Sequence, residues 1–225
     1  MANSLHIVCF GAHPDDCEIF AGGLMRAFVT NGARVTFVIA TDGALSNGPP
    51  ADPALAATRR EEAKAAAAHI GAAVEMLGFP DGGLSLQPGA IEAVDDALLR
   101  YRPDLVVTHH ERDYHRDHRE ISRLVRSRIG PVQRFLTMEP LYGVGALPDT
   151  LVDITPHAAA KRAAILEHRT QDGEAIVPQV ATWNAFRAIQ MARRGVEHAE
   201  GYVIPPDIYA DASGLLAKVT RVRRL

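Results

Sequence analysis

Six residues able to bind a metal or move a proton fall into two short clusters of this sequence. The first, Gly11 to Glu18 (GAHPDDCE), carries His13, Asp15 and Asp16, and the second, within HHERDYHRDHRE at 109–120, carries His115, Asp117 and His118. Imidazole and carboxylate groups are donors that Zn²⁺ accepts, and a catalytic zinc needs three protein ligands plus a position open to water. The spacings His-x-x-Asp at 13–16 and His-x-x-His at 115–118 each bring two donors within one turn. Taken singly, either cluster reads first as something plainer. One is a polar turn whose aspartate caps a helix, the other the charged start of a solvated helix.

The elements that would have to position these clusters change that balance. Short apolar runs alternate with Ala-rich helical patterns: a strand at 5–10, a helix at about 19–31 closed by Gly32, a strand at 34–40, a helix at 55–70 ending at Gly71, and a short strand at 74–77. A helix at 90–100 and a buried strand at 105–108 follow, with a strand at 151–154 and a helix at 155–167 beyond a less regular stretch. Such alternation predicts an α/β fold: a Rossmann-like, open, mainly parallel sheet flanked by helices, in a single domain over 1–225. In open sheets of this kind ligands bind outside the carboxyl ends of the strands, near a topological switch point. Both clusters directly follow strands, so segments a hundred residues apart face each other across one crevice.

Composition narrows the partners. At 225 residues, 47% hydrophobic and with a net charge of −3, the chain has material for one sizeable core and no basic surplus to draw it to nucleic acid or anionic membrane. Its opening lacks the features of a secretory signal and no segment approaches the ~20 apolar residues of a membrane span, which predicts a cytoplasmic protein. Cys9 and Cys17 read as small buried hydrophobes in a reducing compartment. There is no G-x-x-x-x-G-K-[ST], no G-x-G-x-x-G and no G-x-S-x-G, so the first strand end is neither a phosphate loop nor a nucleophile elbow.

Short motifs follow one another along the chain: AHPDDCE with Gly22-Gly23, Thr41-Asp42-Gly43, Arg59-x-x-Glu62, Phe79-Pro80-Asp81, Tyr114-His115-x-Asp117-His118-Arg119, His168-x-Thr170-Gln171 and the box from Glu197 to Tyr202. Their order resembles the PIG-L/LmbE family of zinc-dependent N-deacetylases. In length and in that late box the chain looks closest to bacterial members that deacetylate N-acetylglucosaminyl-malate. The resemblance implies that His13, Asp16 and His118 bind Zn²⁺ or another divalent metal, with Asp15 as general base. It further implies His115 as a protonated donor to the oxyanion, oriented by Asp117, and Arg59 as a substrate contact. Asp81 is read either as a sugar-hydroxyl acceptor or as a turn residue, and Tyr114 as an oxyanion partner or a wall of the pocket.

Such chemistry is coherent: two imidazoles and one carboxylate leave a place for water, whose pKa a metal lowers to about 7. Where the family has proline after the first histidine of its H-P-D-H segment, this chain has Arg116, expected to add positive charge near the pocket mouth. His109 and His110 read as structural neighbours outside the metal set, His168 and Gln171 as rim residues or an exposed helix end, and Glu200 as an anchor for backbone or arginine. Trp183 and Phe186 read as core or subunit contact, with substrate stacking as the lesser alternative, and the apolar residues after position 180 offer a surface for homo-oligomers. The implied partner is an acetylated amino sugar. The alternatives are an amidase acting on a larger sugar or thiol conjugate and a catalytically silent sugar-binding domain.

Overall fold

In the computed structural model, which describes residues 4–84, 87–130, 134–141, 146–206 and 212–225, strand β1 (His6–Gly11) is wholly buried at the centre of the architecture. It pairs in parallel with β2 (Arg34–Thr41) on one side and with β4 (Leu105–Thr108) on the other. Outside these lie β3 (Ala73–Phe79) and β5 (Arg134–Met138), also parallel. The sheet then continues antiparallel through β7 (Ala199–Val203), β6 (Thr150–Asp153) and β8 (Val222–Arg224). The full order is β3-β2-β1-β4-β5-β7-β6-β8. The switch point falls between the parallel strands β1 and β4, because the chain moves outward from β1 through β2 to β3 on one side and from β4 to β5 on the other.

The period-two alternation of a strand explains why both faces are covered. Ile7 and Cys9 of β1, with Leu105 and Val107 of β4, enter one core with α1 (Asp16–Thr30), α2 (Pro53–Ile70), α5 (Ala158–Glu167) and α6 (Gly173–Met191). Val8, Phe10 and Val106 enter the other, beneath α3 (Ala90–Tyr101) and α4 (Arg116–Arg128). A last short helix, α7 (Ala212–Leu216), closes the first layer. Both cysteines are buried and free, as their placement in the sequence suggested.

Local chemistry sets the helix ends. Helix α2 starts where the Asp52 carboxylate accepts from Ala54 N–H at 2.8 Å with Pro53 in the first turn, and it stops at Gly71 in the left-handed conformation. Helix α1 carries Gly22-Gly23 in its middle because two things meet there. A Cβ on Gly23 would lie 2.6 Å from Ile154, and the Glu200 carboxylate of β7 accepts from Gly23 N–H (2.8 Å) and Leu24 N–H (2.9 Å). The same carboxylate takes Lys161 Nζ at 2.7 Å and the Tyr202 hydroxyl at 2.7 Å. Glu200 thus anchors backbone, as expected, but with a lysine in place of the arginine. The C-terminal half departs further from the sequence reading: Thr155–His157 forms a 3-10 turn ahead of α5, and β5, β7 and β8 were not foreseen.

Candidate active site

The turn after β1 and the loop after β4 meet at the switch point. Thr41, ending β2, holds the carbonyl of Ala12 through both its N–H and its hydroxyl, each at 2.8 Å. His13 is then fixed by Asp16, whose Oδ2 accepts from His13 N–H at 2.7 Å. Asp15 stands at the N-cap position of α1 without a capping hydrogen bond from its side chain, and its φ of 125° is a conformation that costs a non-glycine residue about 1–3 kcal/mol and collects at functional sites. From the other side, His115 caps α4, its Nδ1 accepting from Asp117 N–H at 3.3 Å.

The expected trio His13, Asp16 and His118 comes together around the Asp16 carboxylate. Oδ2 lies 3.5 Å from His13 Nδ1 and Oδ1 lies 3.2 Å from His118 Nε2, with the two rings 5.3 Å apart. Among the described residues, three sets of donors lie within 4.8 Å of one another: His13/His115/His118, Asp16/His109/His118 and His13/Asp81/Asp117. His109, set aside in the sequence reading, is therefore part of the cluster. It is fully buried, its Nε2 is 3.0 Å from Asp16 Oδ2, and its ring stacks on that of His118 at 3.8 Å. Asp113, also missed, places Oδ1 3.2 Å from His118 Nδ1 and accepts from His115 N–H at 2.9 Å.

Three residues stand differently from what the sequence suggested. Asp117 does not brace the His115 ring with its carboxylate, which instead accepts from Gly82 N–H (2.8 Å) and Leu84 N–H (3.3 Å) and lies 3.6 Å from His13 Nε2. Arg59 is buried, donating to Gly43 O at 3.1 Å and Pro14 O at 2.6 Å and lying 3.4 Å from Asp15 Oδ1. Its guanidinium ties the two turns together beside Asp15, and Gly43 (φ 68°) leaves room for it, since a Cβ there would lie 2.5 Å from Nη1. Arg116 is exposed at the start of α4 and does not line the cavity.

Asp81 lies 3.1 Å from His13 Nε2 and also accepts from Leu45 N–H, so it serves turn and site together. Tyr114 is half exposed on the cavity wall. His168 is buried behind Asp15, 3.5 Å from the equally buried Glu18, while Gln171 lines the cavity and donates to Ser46 Oγ at 2.9 Å. Trp183 packs edge-on to Phe20, and Phe186 and Ile189 face outward.

Electrostatics separate the two adjacent aspartates. Burial would raise the Asp16 carboxyl, but His118 and His109 hold it well below the usual carboxylate range. Burial dominates at Asp15 and lifts it to about 6, against the pull of Arg59. Burial would also lower His13 and His118, yet Asp117, Asp16 and Asp81 raise the first well above its ordinary value, and Asp16 with Asp113 raises the second to about 9. His115 is lowered by burial and by the neighbouring His13 and His118. All these groups except Asp117, His109 and Asp113 line one cavity of about 450 Å³, walled by Ile19, Phe20, Leu141 and Ile176.

A donor set of imidazoles and one carboxylate suits zinc and similar divalent ions. Buried atoms without hydrogen-bond partners concentrate here as well: His109 Nδ1, His118 Nδ1, Asp113 Oδ2, Arg59 Nε and both polar ends of the Glu18–His168 pair. The residues therefore fit a metal. Sheet order and site together define a doubly wound α/β protein with a ligand-type cluster at its switch point. The chain belongs to the PIG-L family, described as GlcNAc-PI de-N-acetylase, which residues 8–129 match.

Among relatives it is similar to a diacetylchitobiose deacetylase of Thermococcus kodakarensis, 29% identical over 104 residues. That match covers 45% of this chain and 39% of the relative's length. In fold it is similar to GalB, the 4-carboxy-2-hydroxymuconate hydratase of Pseudomonas putida KT2440 (24% identity, TM-score 0.81, 88% of this chain and 95% of that one). It is likewise similar to the N,N'-diacetylchitobiose deacetylase of Pyrococcus horikoshii (24% identity, TM-score 0.75, 95% and 89%). No helix among the described residues is long and apolar enough to cross a membrane.

Proposed function

We propose that this chain is a metal-dependent N-deacetylase that acts in the cytoplasm on a small molecule containing N-acetylglucosamine. His13, Asp16 and His118 hold Zn²⁺ or a similar divalent ion, and Asp15 is the general base. The observation carrying this reading is the divided fate of two neighbouring carboxylates: Asp16 is turned into the imidazole cluster, while Asp15 pairs with Arg59 at 3.4 Å and lines the same cavity. A divalent ion held there supplies Lewis acidity toward an amide carbonyl and a lowered pKa for attacking water.

Asp15, with its carboxyl at about 6, is ionised at neutral pH and still able to return a proton to the leaving amine. His115 accepts a backbone N–H at Nδ1, so its neutral ring carries the proton on Nε2. It donates to the developing oxyanion as imidazole rather than as the protonated donor the sequence suggested. Arg59 positions Asp15 from 3.4 Å while itself lining the cavity, and Asp81 and Tyr114 line it where the sugar would sit. The substrate class is supported by the family description and by the Thermococcus relative.

The test is release of primary amine from N-acetylglucosamine, its malate and inositol conjugates and diacetylchitobiose, with Zn²⁺ supplied. Turnover of at least one substrate, abolished by chelator and restored by metal, is the expected result. Silence across the panel with metal bound would overturn this reading. It would leave the larger-conjugate amidase, the silent binding domain, or water addition of the kind the GalB fold hosts.

A further inference from the structure

Four side chains at the inner end of the cluster form a closed ring. The stacked imidazoles of His109 and His118, 3.8 Å apart and 18° from parallel, are bridged at one end by Asp16. Its Oδ1 lies 3.2 Å from His118 Nε2 and its Oδ2 3.0 Å from His109 Nε2. Asp113 bridges the opposite end, 3.2 Å from His118 Nδ1 and 3.9 Å from His109 Nδ1. All four residues are buried, His109 completely and Asp113 to 3% exposure.

Each member has a different chemical duty in this ring. Asp113 sets a carboxylate oxygen 3.2 Å from His118 Nδ1, close enough for its charge to favour the proton on that nitrogen though not aligned as a hydrogen bond, which leaves Nε2 for a metal; such carboxylate–imidazole pairs orient metal-bound histidines generally. His109 Nε2 is approached by Ala12 N–H at 3.4 Å and by Asp16 Oδ2 at 3.0 Å. The shorter contact, to a carboxylate, places the imidazole proton on Nε2 pointing at Asp16. That occupies one Asp16 oxygen and presents the other. Asp113 also accepts His115 N–H at 2.9 Å, so a single carboxylate sets the backbone of one cavity histidine and the ring of another.

We propose that Asp113 and His109 are positioning residues. Asp113 turns His118 so that Nε2 faces the metal, and His109 holds back one oxygen of Asp16 without itself being a ligand. The proposal rests on the reading of His13, Asp16 and His118 as the metal set. Neither residue lines the cavity, so neither contacts substrate.

The experiment titrates the metal-free full chain with Zn²⁺ against a chromophoric chelator, and with Co²⁺ while recording its visible absorption. Wild type, Asp113→Asn and His109→Gln are compared. The expected result is Zn²⁺ affinity weakened by about 10–100-fold in each variant, with the Co²⁺ band unchanged in position and intensity and metal-free melting close to wild type. Wild-type affinity in Asp113→Asn would overturn the proposal, as would a Co²⁺ band altered in His109→Gln, which would make His109 a ligand. Should His109→Gln not fold, the near-isosteric Asp113→Asn decides the matter. A wild-type chain that binds no metal at all would instead refute the proposed function.

Discussion

Asp15 and Asp16 are chemically identical neighbours whose surroundings drive their proton affinities apart, and such splitting assigns roles within active sites. Asp15→Ala is expected to keep Zn²⁺ bound and lower kcat by about 10²–10⁴-fold, the span of general-base catalysis. His118→Ala is expected to lose the metal; metal content measured beside turnover separates the two outcomes. If Asp15 is the base, it acts only when ionised; its carboxyl sits at about 6 without metal and a neighbouring divalent ion lowers it further, so kcat/KM should fall tenfold per unit at acid pH, with a midpoint below about 6. In the metal-free protein His118 stays protonated up to about pH 9. Metal must displace that proton, so affinity should climb with pH towards 9, and calorimetry in buffers of different ionisation enthalpy should show proton release. The cavity residues His13, Asp15, Asp16, His115 and His118 were legible because two short clusters contain them all. Asp113 was hidden in a charged run, where only its four- and five-residue offsets from His109 and His118 hint at a shared site. That Arg59 donates to two backbone carbonyls beside Asp15 was not legible, because nothing in a sequence tells where a guanidinium will find its acceptors.

Helix α1 shows how an element can be held from outside its own hydrogen-bond ladder. Glu200 reaches two amides in its middle and is satisfied by Lys161 and Tyr202. Replacing Glu200 by Ala leaves a buried ammonium without its partner, and loss of about 3–5 kcal/mol is expected in chemical denaturation. Gly23→Ala puts a methyl group 2.6 Å from Ile154. It should cost about 1–3 kcal/mol by overpacking, with a lowered denaturation midpoint. The elements up to about residue 130 followed from period and punctuation, because repeated βα units leave regular signals. Beyond it the strands are short and, after β5, antiparallel and assembled out of chain order: β7 inserts between β5 and β6, and among the described residues β8 pairs with β6 alone. Pairings of that kind depend on contacts that a local window does not contain.

At the scale of the whole molecule, the proposed metal would be coupled to the fold. The site joins turns on both sides of the switch point, so an ion that binds only the folded chain must stabilise it, by about 2.7 kcal/mol at a free concentration one hundred times Kd. Thermal melts with and without Zn²⁺ should show that shift, and His118→Ala should abolish it. Every proposed metal ligand and the base lie between residues 13 and 118, yet the clamp on α1, the helix that begins at Asp16, comes from Glu200. During synthesis the ribosome will therefore have delivered the complete set of reactive groups long before the residue that locks in place the helix beginning at Asp16. A nascent chain halted after α4 should carry all the chemistry and still fail to assemble it, leaving competence to arrive late, with β7.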